Sequence, residues 1–181
     1  MPKKESLEIK KSLPWDVVEK QISKEAKWLK DVIDVFNVEE KNMSLPPGLS
    51  CTECLLRRIA ILIVSGKISA VEINKEPPLE SFWNSEKCCK KDIKHGKEWH
   101  QMTMGQIENH FLNLGFEVEK EPVMHQGRAD LGVYQKNTPT LYIEIGTTSL
   151  YKLWLNLVTK GSFTYLIVPS DNQLIEFRKN S

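Results

Sequence analysis

Two short apolar runs, LGVY at 131–134 and LYIEI at 141–145, each carry one carboxylate where a buried strand should carry none. Asp130 stands at the mouth of the first run and Glu144 near the end of the second. A carboxylate is rarely fully buried unless it is paired or holds a metal. Asn137-Thr138-Pro139 between the runs is a turn signal, so the two strands are predicted to be neighbours with their acids side by side. Magnesium and manganese take hard oxygen ligands and keep several waters. Asp130, Glu144 and the backbone carbonyl of Ile145 would supply oxygens for such an ion. Solvation of both acids at strand ends is the competing reading, and the apolar neighbours of Glu144 weigh against it.

The flanking residues predict an α/β unit. Met104, Ile107, Phe111 and Leu114 recur at helical spacing, giving a helix over 103–114 that Gly115 ends. FEVEKEPVM at 116–124 alternates apolar and charged residues like a half-exposed strand. His125-Gln126-Gly127 is then a turn, 128–134 and 141–145 are strands, and 149–158 is a helix with Leu150, Leu153, Trp154 and Leu157 inward. Thr147 and Thr148 are the expected N-cap residues of that helix. The wholly apolar run 163–168 is expected at the centre of the sheet, and 174–177 as an edge strand. The fold class is therefore α/β, with a central sheet in the order α-β-β-β-α-β over 99–181, preceded by a helical region over 1–98.

That first region opens with a lysine-rich arm at 1–13. Trp15, Val18, Ile22, Ala26, Leu29, Ile33 and Phe36 then mark an amphipathic helix, with Lys20, Lys24, Lys27 and Lys30 on its wet side. Pro46-Pro47-Gly48 breaks the chain. A second helix from about residue 50 is apolar nearly all round after Arg58 and stops at Gly66, with a short strand expected at 68–73. These two helices are candidate surfaces for a homodimer or a protein partner. The four cysteines all lie here. Cys51 and Cys54 have the spacing of half a zinc site, which Cys88 or Cys89 with His95 would complete. The alternative is free thiols in a core. Lys87, Lys90, Lys91, Lys94 and Lys97 form the densest basic cluster, either a solvated loop or a patch for phosphates.

Bulk properties bound these readings. The chain has 181 residues, 40% hydrophobic and 27% charged, enough for a real core. Its net charge of +1 gives no global drive toward nucleic acid, so any such contact must be local. No apolar run is long enough to cross a bilayer. The N-terminus lacks the apolar segment of a secretory signal. The expectation is an intracellular protein, cytoplasmic, without a membrane partner and with reduced cysteines.

The order of elements, with an aspartate opening the second strand and a glutamate in the third, resembles the PD-(D/E)XK nuclease superfamily. That group includes archaeal Holliday-junction resolvases and many restriction enzymes, and the resemblance covers roughly residues 99–178. Gly127-Arg128-Ala129-Asp130 stands where the family has its Pro-Asp, with alanine for proline. Glu144-Ile145-Gly146 stands where it has Glu-x-Lys, so Gly146 replaces the family lysine. The resemblance implies a restriction-endonuclease-like fold, a magnesium- or manganese-dependent endonuclease activity and DNA as the partner. Asp130 and Glu144 would be the metal ligands, and Glu108 the further acid of the first helix. Lys152, on the helix after Glu144, would take the place of the missing lysine. The other implied outcome is a domain that has lost the lysine and binds nucleic acid or a protein without cutting. Arg128, with His100 and His125, is a candidate phosphate contact, and Gln106 and His110 are polar neighbours of Glu108.

Overall fold

The structure is a computed structural model that describes residues 14–33, 51–73, 97–159, 161–169 and 173–179. The described chain is mixed α/β. Its helices are α1 (Trp15–Val32), α2 (Thr52–Val64), α3 (Lys97–Asn113) and α4 (Leu150–Val158). Its strands are β1 (Ile68–Ile73), β2 (Glu117–Lys120), β3 (Leu131–Tyr134), β4 (Thr140–Ile145), β5 (Phe163–Val168) and β6 (Leu174–Lys179). All six strands form one sheet in the order β1-β6-β5-β4-β3-β2.

Local chemistry accounts for the connections. The β3–β4 hairpin turns at Asn137, whose φ of 65° suits asparagine better than most side chains, and Thr138 donates its N–H and its hydroxyl to the Gln135 carbonyl. β4 and β5 pair in parallel, which demands a crossover, and α4 is that crossover. Every other pairing in the sheet is antiparallel. Gly115, at φ 81°, ends α3 while the Phe116 N–H reaches back to the Phe111 carbonyl.

The period-2 alternation of the strands divides the core. Phe163, Tyr165 and Ile167 of β5, with Ile175 and Phe177 of β6, face α1, α2 and α4. Leu131, Val133, Ile143, Ile145, Val168 and Leu174 face α3 on the opposite side. The sheet is thus the middle of three layers. Leu29 and Ile22 of α1, and Leu56 and Ile59 of α2, share a core with Leu153 and Leu157 of α4 across residues 98 and 99. β1 also crosses this line to pair with β6.

Several expectations need correction. β6 is an interior strand, because β1 covers its outer side. α2 is one-sided, with Ile61 45% exposed while Leu55, Leu56, Ile59 and Ala60 are buried. Trp15 lies outside the stripe of α1, at 72% exposure. α3 starts at Lys97, six residues before the expected 103, and so includes Trp99 and His100. The N-terminal arm, residues 34–36 and the 42–48 break lie outside the described residues. No helix among the described residues is long and apolar enough to cross a membrane.

Candidate functional site

The site forms at the end of β4. Glu144 shares the β4 face of Tyr142, which looks toward α4, and is itself buried at 8% exposure. The first turn of α4 begins beyond Ile145, so Lys152 meets Glu144 from above. Its ammonium donates to Glu144 Oε1 at 2.7 Å and Oε2 at 2.9 Å. The Tyr165 hydroxyl of β5 donates to Oε2 at 3.2 Å. Burial raises the Glu144 pKa, Lys152 pulls it back, and the charge of Asp130 pushes it up again. The same burial and the facing Glu144 carboxylate push the Tyr165 hydroxyl well above the ordinary tyrosine range, so it stays a donor.

Asp130 immediately precedes β3. Its backbone N–H donates to the Ile143 carbonyl, and its Oδ2 accepts the Ile145 N–H at 2.7 Å. The side chain thereby continues the β3–β4 ladder past the last backbone pair. His100 Nε2 of α3 lies 3.2 Å from the same Oδ2. Two carboxylates, one ammonium and one imidazole therefore meet where β3 begins and β4 ends.

α4 is seated by two further polar side chains. Ser149 is its N-cap, accepting from the Lys152 N–H at 3.4 Å, whereas Thr148 is fully buried and Thr147 precedes it. Thr147 and Thr148, expected from the sequence as caps, do not take that position. Asn156, 1% exposed, accepts the Gln126 N–H at 3.0 Å and donates to the Gln126 carbonyl at 3.1 Å and the Lys152 carbonyl at 2.9 Å. It staples the 124–127 turn to α4. A Cβ on Gly127 would sit 3.6 Å from Lys152 Cε, so this turn packs along the lysine stem.

Gly146 has φ +84°, a left-handed conformation that a side chain resists. A lysine at this position would be strained, which gives a physical reason for the cation to arrive from α4. The other expected residues are more dispersed. Glu108 pairs with Lys120 of β2 at 2.7 Å. Arg128 lies 3.6 Å from Glu121, both being exposed, an ion pair of little energetic weight. His125 is exposed and lines a hollow with Tyr142 and Asn156. Cys51 is exposed and Cys54 half-buried, both as free thiols, which removes them from the core packing expected as the alternative to zinc. Cys88, Cys89, His95, Lys87, Lys90, Lys91 and Lys94 lie outside the described residues.

Tyr165 and Asn156 were missed in the sequence, although a signal was there. Each is a polar-tipped residue in a largely apolar element, FTYLIV and LYKLWLNLV. Among the described residues, no group of three or more His, Cys, Asp and Glu side chains converges in a metal-holding arrangement. The Asp130–Glu144 pair falls below that number, but its chemistry suits magnesium or manganese. These ions commonly use one or two carboxylates and complete their shells with water and substrate oxygens. Comparison of the chain with protein-family models, with curated proteins and with solved structures finds no match.

Proposed function

We propose that this chain is a metal-dependent nuclease acting on DNA phosphodiesters, with its centre at Asp130, Glu144 and Lys152. The observation that carries the reading is the Lys152 ammonium on both oxygens of the buried Glu144, on the strand beside Asp130. A lysine contributed by α4 answers the loss of one at Gly146. The succession α3, β2, β3, β4, α4, β5 also supports a restriction-endonuclease-like fold.

Asp130 and Glu144, with the Ile145 carbonyl, would hold a magnesium or manganese ion, which when bound activates a water and offsets phosphoryl charge. The chain's own groups do the rest. Tyr165 fixes the Glu144 carboxylate by donating to Oε2. The Ile145 N–H fixes Asp130. Lys152 places a positive charge beside the reacting phosphate, where charge develops. His100, partly exposed and 3.2 Å from Asp130 Oδ2, would donate to a phosphate oxygen.

The test is incubation of the full chain with plasmid, branched and single-stranded DNA in manganese. Cleavage by the wild type, lost in Asp130→Ala with the fold intact, is the expected result. Binding to DNA with no metal-dependent product from any substrate would establish the second reading, a nuclease-fold module that binds nucleic acid or a partner protein without cutting. The observation favouring that reading is Gly146 itself, the glycine in the lysine position.

A further inference from the structure

A second centre lies at the N-terminus of α2, on the sequence Cys51-Thr52-Glu53-Cys54. Cys51 is the N-cap residue of α2, with an extended backbone at φ −103° and ψ 118°, and Cys54 is in the first turn. Cys51 is exposed and Cys54 half-buried, and both are free thiols. On ideal helical geometry, Cα atoms three residues apart lie about 5 Å from one another, which is inside the range a disulfide spans. Both thiols border a hollow of about 480 Å³ between α1 and α2, whose walls include Lys27, Lys30 and Arg57. Glu53 also lines it, while Arg57 is shared with Glu19.

We infer that Cys51 and Cys54 form a dithiol–disulfide pair that exchanges with small anionic disulfides, Cys51 attacking and Cys54 resolving. The asymmetry follows from position: Cys51 is exposed at the N-cap of α2, and Cys54 is half-buried in its first turn. In keeping with this, the neighbouring Cys54 lowers the Cys51 pKa, while Cys51 first, with burial, raises that of Cys54. Lys27 and Lys30 supply the attraction for carboxylates of the incoming disulfide. The Cys51 thiolate attacks one sulfur of that disulfide, its S–S bond breaks, and the departing thiolate takes a proton from water. Cys54 then loses its proton, its sulfur attacks the Cys51 sulfur, and the second small thiol leaves carrying a proton. The two cysteines lose two electrons and two protons, and the small disulfide gains them. Nothing in this step depends on the Glu144 site.

Treatment of the full chain with oxidised glutathione, then alkylation, trypsin and mass spectrometry, tests the proposal on the peptide 42–57, whose only cysteines are Cys51 and Cys54. The expected result is a peptide lighter by two hydrogens that has lost both alkylation sites. Cys54→Ser should trap glutathione on Cys51, and Cys51→Ser should carry several-fold less adduct. Cystamine, a cationic disulfide, should oxidise the pair several-fold more slowly. Retention of both alkylation sites at every glutathione ratio would overturn the proposal. So would oxidation that links peptide 42–57 to Cys88 or Cys89, or equal trapping by the two single variants.

Discussion

Lys152 and Glu144 show how one pair of side chains sets the behaviour of the site. Unfolded, Glu144 titrates near its ordinary 4.5, and burial raises that value in the fold. A raised carboxyl pKa means stability that is fully present below 4.5 and is lost as pH climbs through the folded value. Lys152 limits that loss by favouring the charged form. Lys152→Met should therefore be nearly neutral for stability at acid pH and progressively destabilising above it, reaching about 1–3 kcal/mol at neutral to mildly alkaline pH. Urea unfolding across this range checks the sign, and a gap independent of pH would mean that the pair does not couple. This lysine was legible in the sequence because helical spacing puts it a turn past the strand end. Tyr165 was not, because its hydroxyl finds Glu144 only through the parallel pairing of β4 with β5. The position of His100 was also hidden, since α3 starts earlier than its apolar spacing indicates.

The pivotal element is α4, which carries the ammonium and is held at both ends by side chains. Asn156→Leu would strand the Gln126 N–H and carbonyl, both now bonded to it. The expected cost is about 2–4 kcal/mol, read as a lower midpoint in thermal or urea unfolding. Ser149→Ala should cost about 1 kcal/mol by removing the cap. Gly146→Ala would force a side chain to φ +84° at a cost of about 1 kcal/mol, although the Trp99 ring is 3.6 Å from the new Cβ and leaves room for it. Helix and strand identities were readable because apolar periodicity is a local property. The interior place of β6 was not, because its partner β1 is about a hundred residues away in the chain and nothing in LIEF announces it.

At the scale of the molecule, the helical first half and the α/β second half are built around common core side chains. Leu29, fully buried in α1, belongs to the cluster that holds Leu153, Tyr165 and Phe177. Leu29→Ala should cost about 2–5 kcal/mol and lower the unfolding of the whole chain in one transition, visible at once in tryptophan fluorescence and in far-UV circular dichroism. Two separated transitions, with only the first displaced, would show instead that the halves fold independently. The sequence suggested a boundary at residue 98 because composition and element type change there, while the packing that bridges it depends on tertiary contacts. The claim on which the functional account rests is that Asp130 and Glu144 share a divalent ion. Titration of the full chain with manganese, following free Mn²⁺ by electron paramagnetic resonance, measures this directly. About one ion bound per chain is expected, with binding lost in Asp130→Ala and in Glu144→Ala while circular dichroism is unchanged. Binding unaffected by either substitution, or none by the folded wild type, would contradict the shared site.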